Sequence, residues 1–221
     1  MSKKRSFVVI GLILLCIVIS VVFFVRKSDD NTAKSQVQVQ GTNYAGCGVI
    51  YKVSDEGCYI VSTGHIFSGM QVGDTSKVTF HDGTEVPGEV VYLSDVADVA
   101  FLQVRTVQEE NDKPDVPGEA AKIDKSRFDA LKEDDVIFVC AGGESHTEKV
   151  MGSVLYPWIY LEDFSLNMLL AKLEAASGMS GCGVYDKNGF FVGILCGVSA
   201  EGEAAVLPLS VIESEWSMIV K

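Results

Sequence analysis

Residues 77–81 read KVTFH, the chain turns at Asp82-Gly83, and alternation resumes at Thr84, Glu85 and Val86. Asp-Gly between two alternating stretches is hairpin chemistry, because the tight turn needs positive φ and Gly adopts it without steric cost. The same pattern recurs along the chain. Residues 49–53 and 58–62 are short β-branched and aromatic runs separated by Ser54-Asp55-Glu56-Gly57, and 89–93 and 99–104 continue the series. Residues 108–119 are polar and acidic and hold two of the five prolines, which reads as a connection between lobes. Short strands follow at 136–140, 149–154, 183–185, 190–195 and 204–207, with a helical turn expected at 126–133 and a terminal helix at 209–220. Spacing of this kind predicts an all-β fold of two antiparallel lobes, of about 65 and about 100 residues, built as sandwiches or barrels.

The first thirty residues set the expected compartment. Residues 7–25 (FVVIGLILLCIVISVVFFV) carry no charge. As a helix rising about 1.5 Å per residue they span roughly 28 Å, close to the hydrocarbon thickness of a bilayer. Lys3, Lys4 and Arg5 precede the segment, while Arg26 and Lys27 after it are diluted by Asp29 and Asp30. That bias favours residues 1–6 in the cytoplasm and the body outside. A cleavable signal peptide has a shorter apolar region ending in small residues, and Val25-Arg26-Lys27 is a poor cleavage site. The expectation is a single-pass transmembrane anchor at 7–25, a polar tether at 26–41, and an extracytoplasmic domain at 42–221. Residues 28–221 carry 13 basic and 30 acidic side chains, a net charge of −17. A body so acidic repels phosphate backbones and argues against nucleic acid as a partner.

Three places carry chemistry. At 59–66 (YIVSTGHI) an apolar strand runs into small residues and then His65. At 95–102 (DVADVAFL) Asp98 stands immediately before an apolar strand, where its carboxylate can be partly buried and orient a ring. At 177–183 (SGMSGCG) three glycines surround Ser180, so the backbone can approach a substrate closely and aim N–H groups at one point. Taken singly, each has a bland explanation: a capped histidine, a turn aspartate, a glycine-rich turn. The α/β-hydrolase elbow is not matched, since Cys182 stands where its second glycine belongs, and no phosphate-loop Gly-Lys-Ser/Thr occurs. Together, histidine, aspartate and serine follow the chain order of the two-lobed β proteases.

At these residues the chain resembles the trypsin-like serine proteases and, within them, the HtrA (DegP-like) branch. Residues 46–50 (GCGVI) are similar to that branch's GSGVI, and 59–66 to its YIVTNNHV. Residues 78–104 (VTFHDGTEVPGEVVYLSDVADVAFLQV) are similar to its DG hairpin followed by D-x-x-x-DLAVLKV. Residues 147–154 (TEKVMGSV) resemble TVTSGIVS, 177–184 stand where PGNSGGPL would, and 205–208 where FAIP would. The resemblance implies two six-stranded antiparallel barrels, lobe one at about 42–107 and lobe two at about 120–221. It implies His65 as general base, Asp98 as its orienting carboxylate, Ser180 as nucleophile, and the N–H groups of Gly178 and Ser180 as an oxyanion hole. The implied activity is a serine endopeptidase acting on polypeptides through an acyl-enzyme, with no cofactor and no metal. A homo-oligomer such as a trimer is common in the resembling family. No sequence follows Lys221 for a PDZ module, so a bare pair of protease lobes on a membrane stalk is expected.

Several residues depart from that pattern. Met179 replaces the Asn or Asp that supports the oxyanion loop, and Cys182 and Gly183 replace Gly and Pro. These departures favour an alternative: a catalytically impaired protease fold that binds peptides or a partner protein at the cell surface. A redox or metal protein is a third reading, although His65, His81 and His146 match no ligand spacing. Cys47 with Cys58 and Cys182 with Cys196 are the pairs that neighbouring strands can bring close, and free buried thiols are the other choice. Glu174, six residues before Ser180, selects Lys or Arg side chains if it points into the primary specificity pocket, where HtrA relatives have a small apolar pocket. Trp158 and Trp216 are expected to be core or helix anchors.

Overall fold

A computed structural model describes residues 31–105, 116–143, 146–199 and 201–220. Six strands form the first lobe: β1 (Gln36–Gln40), β2 (Ala45–Ser54), β3 (Gly57–Ser62), β4 (Thr75–Phe80), β5 (Glu85–Leu93) and β6 (Ala100–Arg105). They close as a barrel in the order β1-β2-β3-β6-β5-β4. The second lobe comprises β7 (Val136–Gly143), β8 (His146–Leu161), β9 (Leu166–Leu173), β10 (Gly183–Asp186), β11 (Phe191–Val198) and β12 (Glu203–Pro208). It closes in the order β10-β11-β12-β9-β8-β7, and every pairing in both barrels is antiparallel. Both lobes are therefore barrels rather than sandwiches. Closure leaves no unpaired sheet edge to cover.

Alternation along β2 and β3 explains why these strands are apolar on both faces. Ile50 and Ile60, paired in register, point into the first barrel with Val78, Val90 and Leu102. Their neighbours Val49 and Val61, also paired, face the other way and join one buried cluster with Ile137, Val139, Leu169, Val184, Ile194 and Val206 of the second barrel. Successive side chains of a strand point to opposite sides, so one strand can serve two cores.

Beyond the helical residues 31–34, the described residues include two short helices. Asp124 caps α1 (Lys125–Asp129) by accepting the backbone N–H groups of Ser126 and Arg127. The second helix, α2 (Leu209–Trp216), follows the last strand of barrel two and carries Trp216 back onto barrel one. There the indole meets Tyr51, Tyr59 and Phe101 at centroid distances of 5.5, 4.9 and 5.3 Å. Phe101 is fully buried and also contacts Tyr51 and Tyr92. Phe101→Ala is expected to destabilise the protein by about 3–5 kcal/mol. A urea titration checks this through a lowered midpoint at unchanged slope.

Three expectations change. Residues 26–41 are not all tether, because Gln36–Gln40 (QVQVQ) pairs with both β2 and β4 and buries Val37 and Val39. Residues 166–173, not anticipated as a strand, form β9 between β8 and β12. Trp216 is an anchor as expected, but Trp158 is 53% exposed on β8. The expected anchor at 7–25 lies outside the described residues; among the described ones, no helix is long and apolar enough to cross a membrane.

Candidate active site

His65 rides on a single 3-10 turn, Gly64–Phe67, that follows directly from β3. Its successors Ile66 and Phe67 are buried in the first barrel, so the turn is pinned from below while the imidazole stays half-exposed. Asp98 is held by a loop of a different kind. The Ser94 hydroxyl accepts the N–H groups of Val96 and Ala97, and Ser94 N–H donates to Val99 O at 3.0 Å. Ala97 and Val99, on either side of Asp98, are buried against the interlobe cluster. The aspartate thus arrives on a loop braced by hydrogen bonds on one side and apolar packing on the other.

The two side chains meet with both carboxylate oxygens in use. Oδ1 accepts the His65 backbone N–H at 2.8 Å, and Oδ2 pairs with His65 Nδ1 at 2.8 Å. An ionised carboxylate only accepts, so Nδ1 is the protonated nitrogen and Nε2 keeps its lone pair. The hydrogen bond to Asp98 is the main influence raising the imidazole pKa above its ordinary 6.5; partial burial opposes it and the carboxylate charge adds to it. Cys196 on β11 lies close enough to sense the same carboxylate. Burial foremost, and Asp98 after it, push its thiol well above the usual range, so it sits there as a neutral thiol.

Ser180 belongs to the loop between β9 and β10, which is folded onto β2 of the other barrel. Its carbonyl accepts the Cys47 N–H at 2.8 Å, while the Ser62 hydroxyl donates to Cys47 O at 2.6 Å. Ser62 is the last residue of β3, three before His65, so the Ser180 loop and the histidine turn share one stretch of barrel-one backbone as support. Gly181 has φ +81°, and a Cβ there would collide with Cys47 O and the Ser62 hydroxyl. Only glycine allows that approach. Among the described residues, no hydrogen bond joins the His65 ring to the Ser180 hydroxyl. Such contacts are often long in ligand-free proteins and tighten on substrate binding.

The loop's backbone donors divide in a telling way. Met179 N–H donates to Ala176 O, Gly181 N–H to Leu195 O, and Cys182 N–H to Met179 O, at 3.2, 2.8 and 3.0 Å. Among the described residues, the N–H groups of Gly178 and Ser180 have no internal acceptor. Gly178 adopts φ +91° in open space. Two unspent donors flanking the turn are what an incoming anion requires. Met179 supports the turn by a route its chemistry did not suggest: its thioether sulfur accepts Ala176 N–H at 3.0 Å. Beside the loop lies a cavity of about 450 Å³, lined by Gln38 and Gln40 of β1, Lys77 of β4, and Cys47, Gly178 and Met179.

The cysteines pair as neither expected combination. Cys47 is bonded to Cys182, with Cα atoms 4.7 Å apart, and joins the two barrels across 135 residues of sequence. Cys58, Cys140 and Cys196 are buried and form no disulfide. Sequence spacing carries no signal for that bridge, since its partners become neighbours only once the barrels dock. Glu174 is exposed and does not line the cavity beside the loop. His81 turns Nδ1 to Pro117 O at 3.0 Å, and among the described residues no three His, Cys, Asp or Glu side chains gather as metal ligands.

The model of the trypsin-like peptidase domain matches residues 46–194, more than half of the chain and inclusive of His65, Asp98 and Ser180. The chain belongs to the trypsin-like peptidase family. This peptidase domain is 35% identical over 60 residues to the serine protease Do-like HtrA of Bacillus subtilis (strain 168), an overlap of 27% of this chain and 13% of that protein. Among solved structures it is similar to the HtrA-type protease AlgW with tripeptide, at TM-score 0.69 and 21% identity, covering 87% of this chain and 62% of that one. It is similar to the serine endoprotease from Yersinia pestis, at TM-score 0.68 and 19% identity, covering 88% and 66%. An inactive form of Rv3671c from M. tuberculosis superposes at TM-score 0.64 and 17% identity, covering 85% and 87%. At these identities the structural likeness is one of fold.

Proposed function

We propose that the protein is a membrane-anchored, extracytoplasmic serine endopeptidase that cleaves polypeptides through an acyl-enzyme. The observation that carries this reading is the Asp98 carboxylate, which binds both the backbone and the ring of His65 and leaves Nε2 free to accept a proton. In this mechanism Nε2 takes the proton of the Ser180 hydroxyl as it attacks a substrate carbonyl. Asp98 stabilises the imidazolium that results. The oxyanion is met by the Gly178 and Ser180 N–H groups, and the imidazolium returns its proton to the leaving amine. Water then repeats the sequence to release the acyl group.

The Cys47–Cys182 bridge supports an oxidising, extracytoplasmic location. The apolar run at 7–25 supports the anchor. A protease captured with a tripeptide among the similar structures supports a polypeptide as substrate. The missing hydrogen bond between His65 and Ser180 favours a second reading, a peptide-binding module without turnover.

A pH profile of kcat/KM on an unfolded polypeptide separates the two. General-base catalysis requires neutral His65, and Asp98 raises its pKa above 6.5. Turnover is therefore expected at neutral to alkaline pH and is lost as pH falls through a midpoint above 6.5. Peptide binding with no turnover at any pH, unchanged in Ser180→Ala, establishes the second reading instead.

A further inference from the structure

The bridge between Cys47 and Cys182 stands where the two barrels meet beside the candidate nucleophile. Cys182 is two residues beyond Ser180, and Cys47 lies on β2 of the opposite barrel. Residue 47 touches the loop at three further points. Its N–H donates to Ser180 O at 2.8 Å, its carbonyl bars any side chain at position 181, and its Sγ lies 3.8 Å from Gly178 O. Residue 47 therefore ties the loop to the opposite barrel beside the nucleophile, while Leu195 O and Ala176 O hold it from within its own barrel. Apart from the covalent bond, a single backbone hydrogen bond, Cys47 N–H to Ser180 O, holds this loop to that residue.

A cavity adjoins the bond. Cys47 and Cys182 both line the 450 Å³ cavity beside the loop, with Cys47 at 7% exposure and Cys182 at 0%. None of Cys58, Cys140 and Cys196 lines that cavity or forms a disulfide.

We propose that the Cys47–Cys182 disulfide is a redox-controlled clamp on the Ser180 loop, closed in the competent protein and opened by a small dithiol. This rests on the peptidase reading for its effect on activity, though not for its effect on the loop. In the step, one thiolate of the dithiol attacks Sγ of Cys47, the less buried of the two residues, and the S–S bond breaks with Cys182 leaving as thiolate. The second thiol of the reagent then displaces Cys47, also as thiolate. Each thiolate takes a proton, giving two cysteine thiols and a cyclic disulfide: two electrons pass from the dithiol to the protein. Oxidised glutathione reverses the change. Opening lets the Gly178 and Ser180 donors drift from the geometry that the histidine turn faces, and misplacement by about 1 Å costs about 100-fold in rate.

The test uses the full-length chain in detergent, oxidised or treated with dithiothreitol, with thiol counting to show the state of the bond. Two quantities are read: amide hydrogen exchange of peptides covering 178–183, and the rate at which a fluorophosphonate labels Ser180. On opening, exchange is expected to rise about tenfold or more and labelling to fall about 10- to 100-fold. Both recover with oxidised glutathione. The Cys47→Ser/Cys182→Ser double variant is expected to sit at the reduced level and ignore dithiothreitol; if it does not fold, the reversible titration of the natural chain decides alone. Unchanged exchange in protein whose bond is shown to be open overturns the clamp, and unchanged labelling overturns its control of activity. A chain that never labels, but whose exchange rises on opening, supports the clamp and removes the peptidase reading.

Discussion

Ser180→Ala is expected to lower kcat/KM on an unfolded polypeptide by at least about 10⁴-fold while leaving the fold intact. In the proposed mechanism the Ser180 hydroxyl forms the acyl bond, and alanine offers no nucleophile in its place. The structural cost is small. Ser180 is half-exposed, its hydroxyl makes no hydrogen bond to His65, and the loop is held by the carbonyl of residue 180 and by the Cys47–Cys182 bond, which alanine keeps. Thermal unfolding of the variant should therefore match the natural chain within a degree or two. Rate and stability measured side by side separate lost chemistry from lost structure.

Asp98→Asn is expected to be nearly as damaging to the rate, by about 10⁴-fold in kcat, equivalent to about 5.5 kcal/mol of barrier. An amide presents one acceptor and one donor where the carboxylate presents two acceptors. The asparagine oxygen can still take the His65 backbone N–H, but its NH₂ then faces Nδ1. Nδ1 becomes the acceptor, the proton moves to Nε2, and the base no longer has a lone pair towards Ser180. The same substitution removes the influence that raises the imidazole pKa, so the residual activity should lose its acid limb at a lower pH than the natural chain. Steady-state kinetics as a function of pH check both effects. A variant with normal kcat and only a raised KM would show that Asp98 serves binding rather than orientation.

Much of the architecture is legible from local chemistry alone. Asp82-Gly83 between alternating segments marks the β4–β5 turn, and the 58–62 run, apolar on both faces, becomes β3, which feeds two cores. What escapes is whatever depends on tertiary context. Residues 166–173 (LNMLLAKL) hold no β-branched residue and favour helix by propensity, yet pairing with β8 and β12 on both sides makes them a strand. Gln36, Gln38 and Gln40 made β1 look like part of a polar tether, although Val37 and Val39 alternate with them at strand period and fill the first barrel. The site divides along the same line. His65 and Asp98 are marked by strand ends next to chemistry-bearing side chains. The Cys47–Cys182 bridge and the thioether hydrogen bond of Met179 depend on contacts that no local pattern encodes.

The most direct measurement is the mapping of a fluorophosphonate adduct on the full-length protein by peptide mass spectrometry, in the natural chain and in His65→Ala. A single adduct on Ser180, formed at least about 10³-fold more slowly without the imidazole, is the predicted result. An adduct on another residue, or equal labelling of Ser180 in both proteins, contradicts the assignment of this loop and this histidine to one hydrolytic centre.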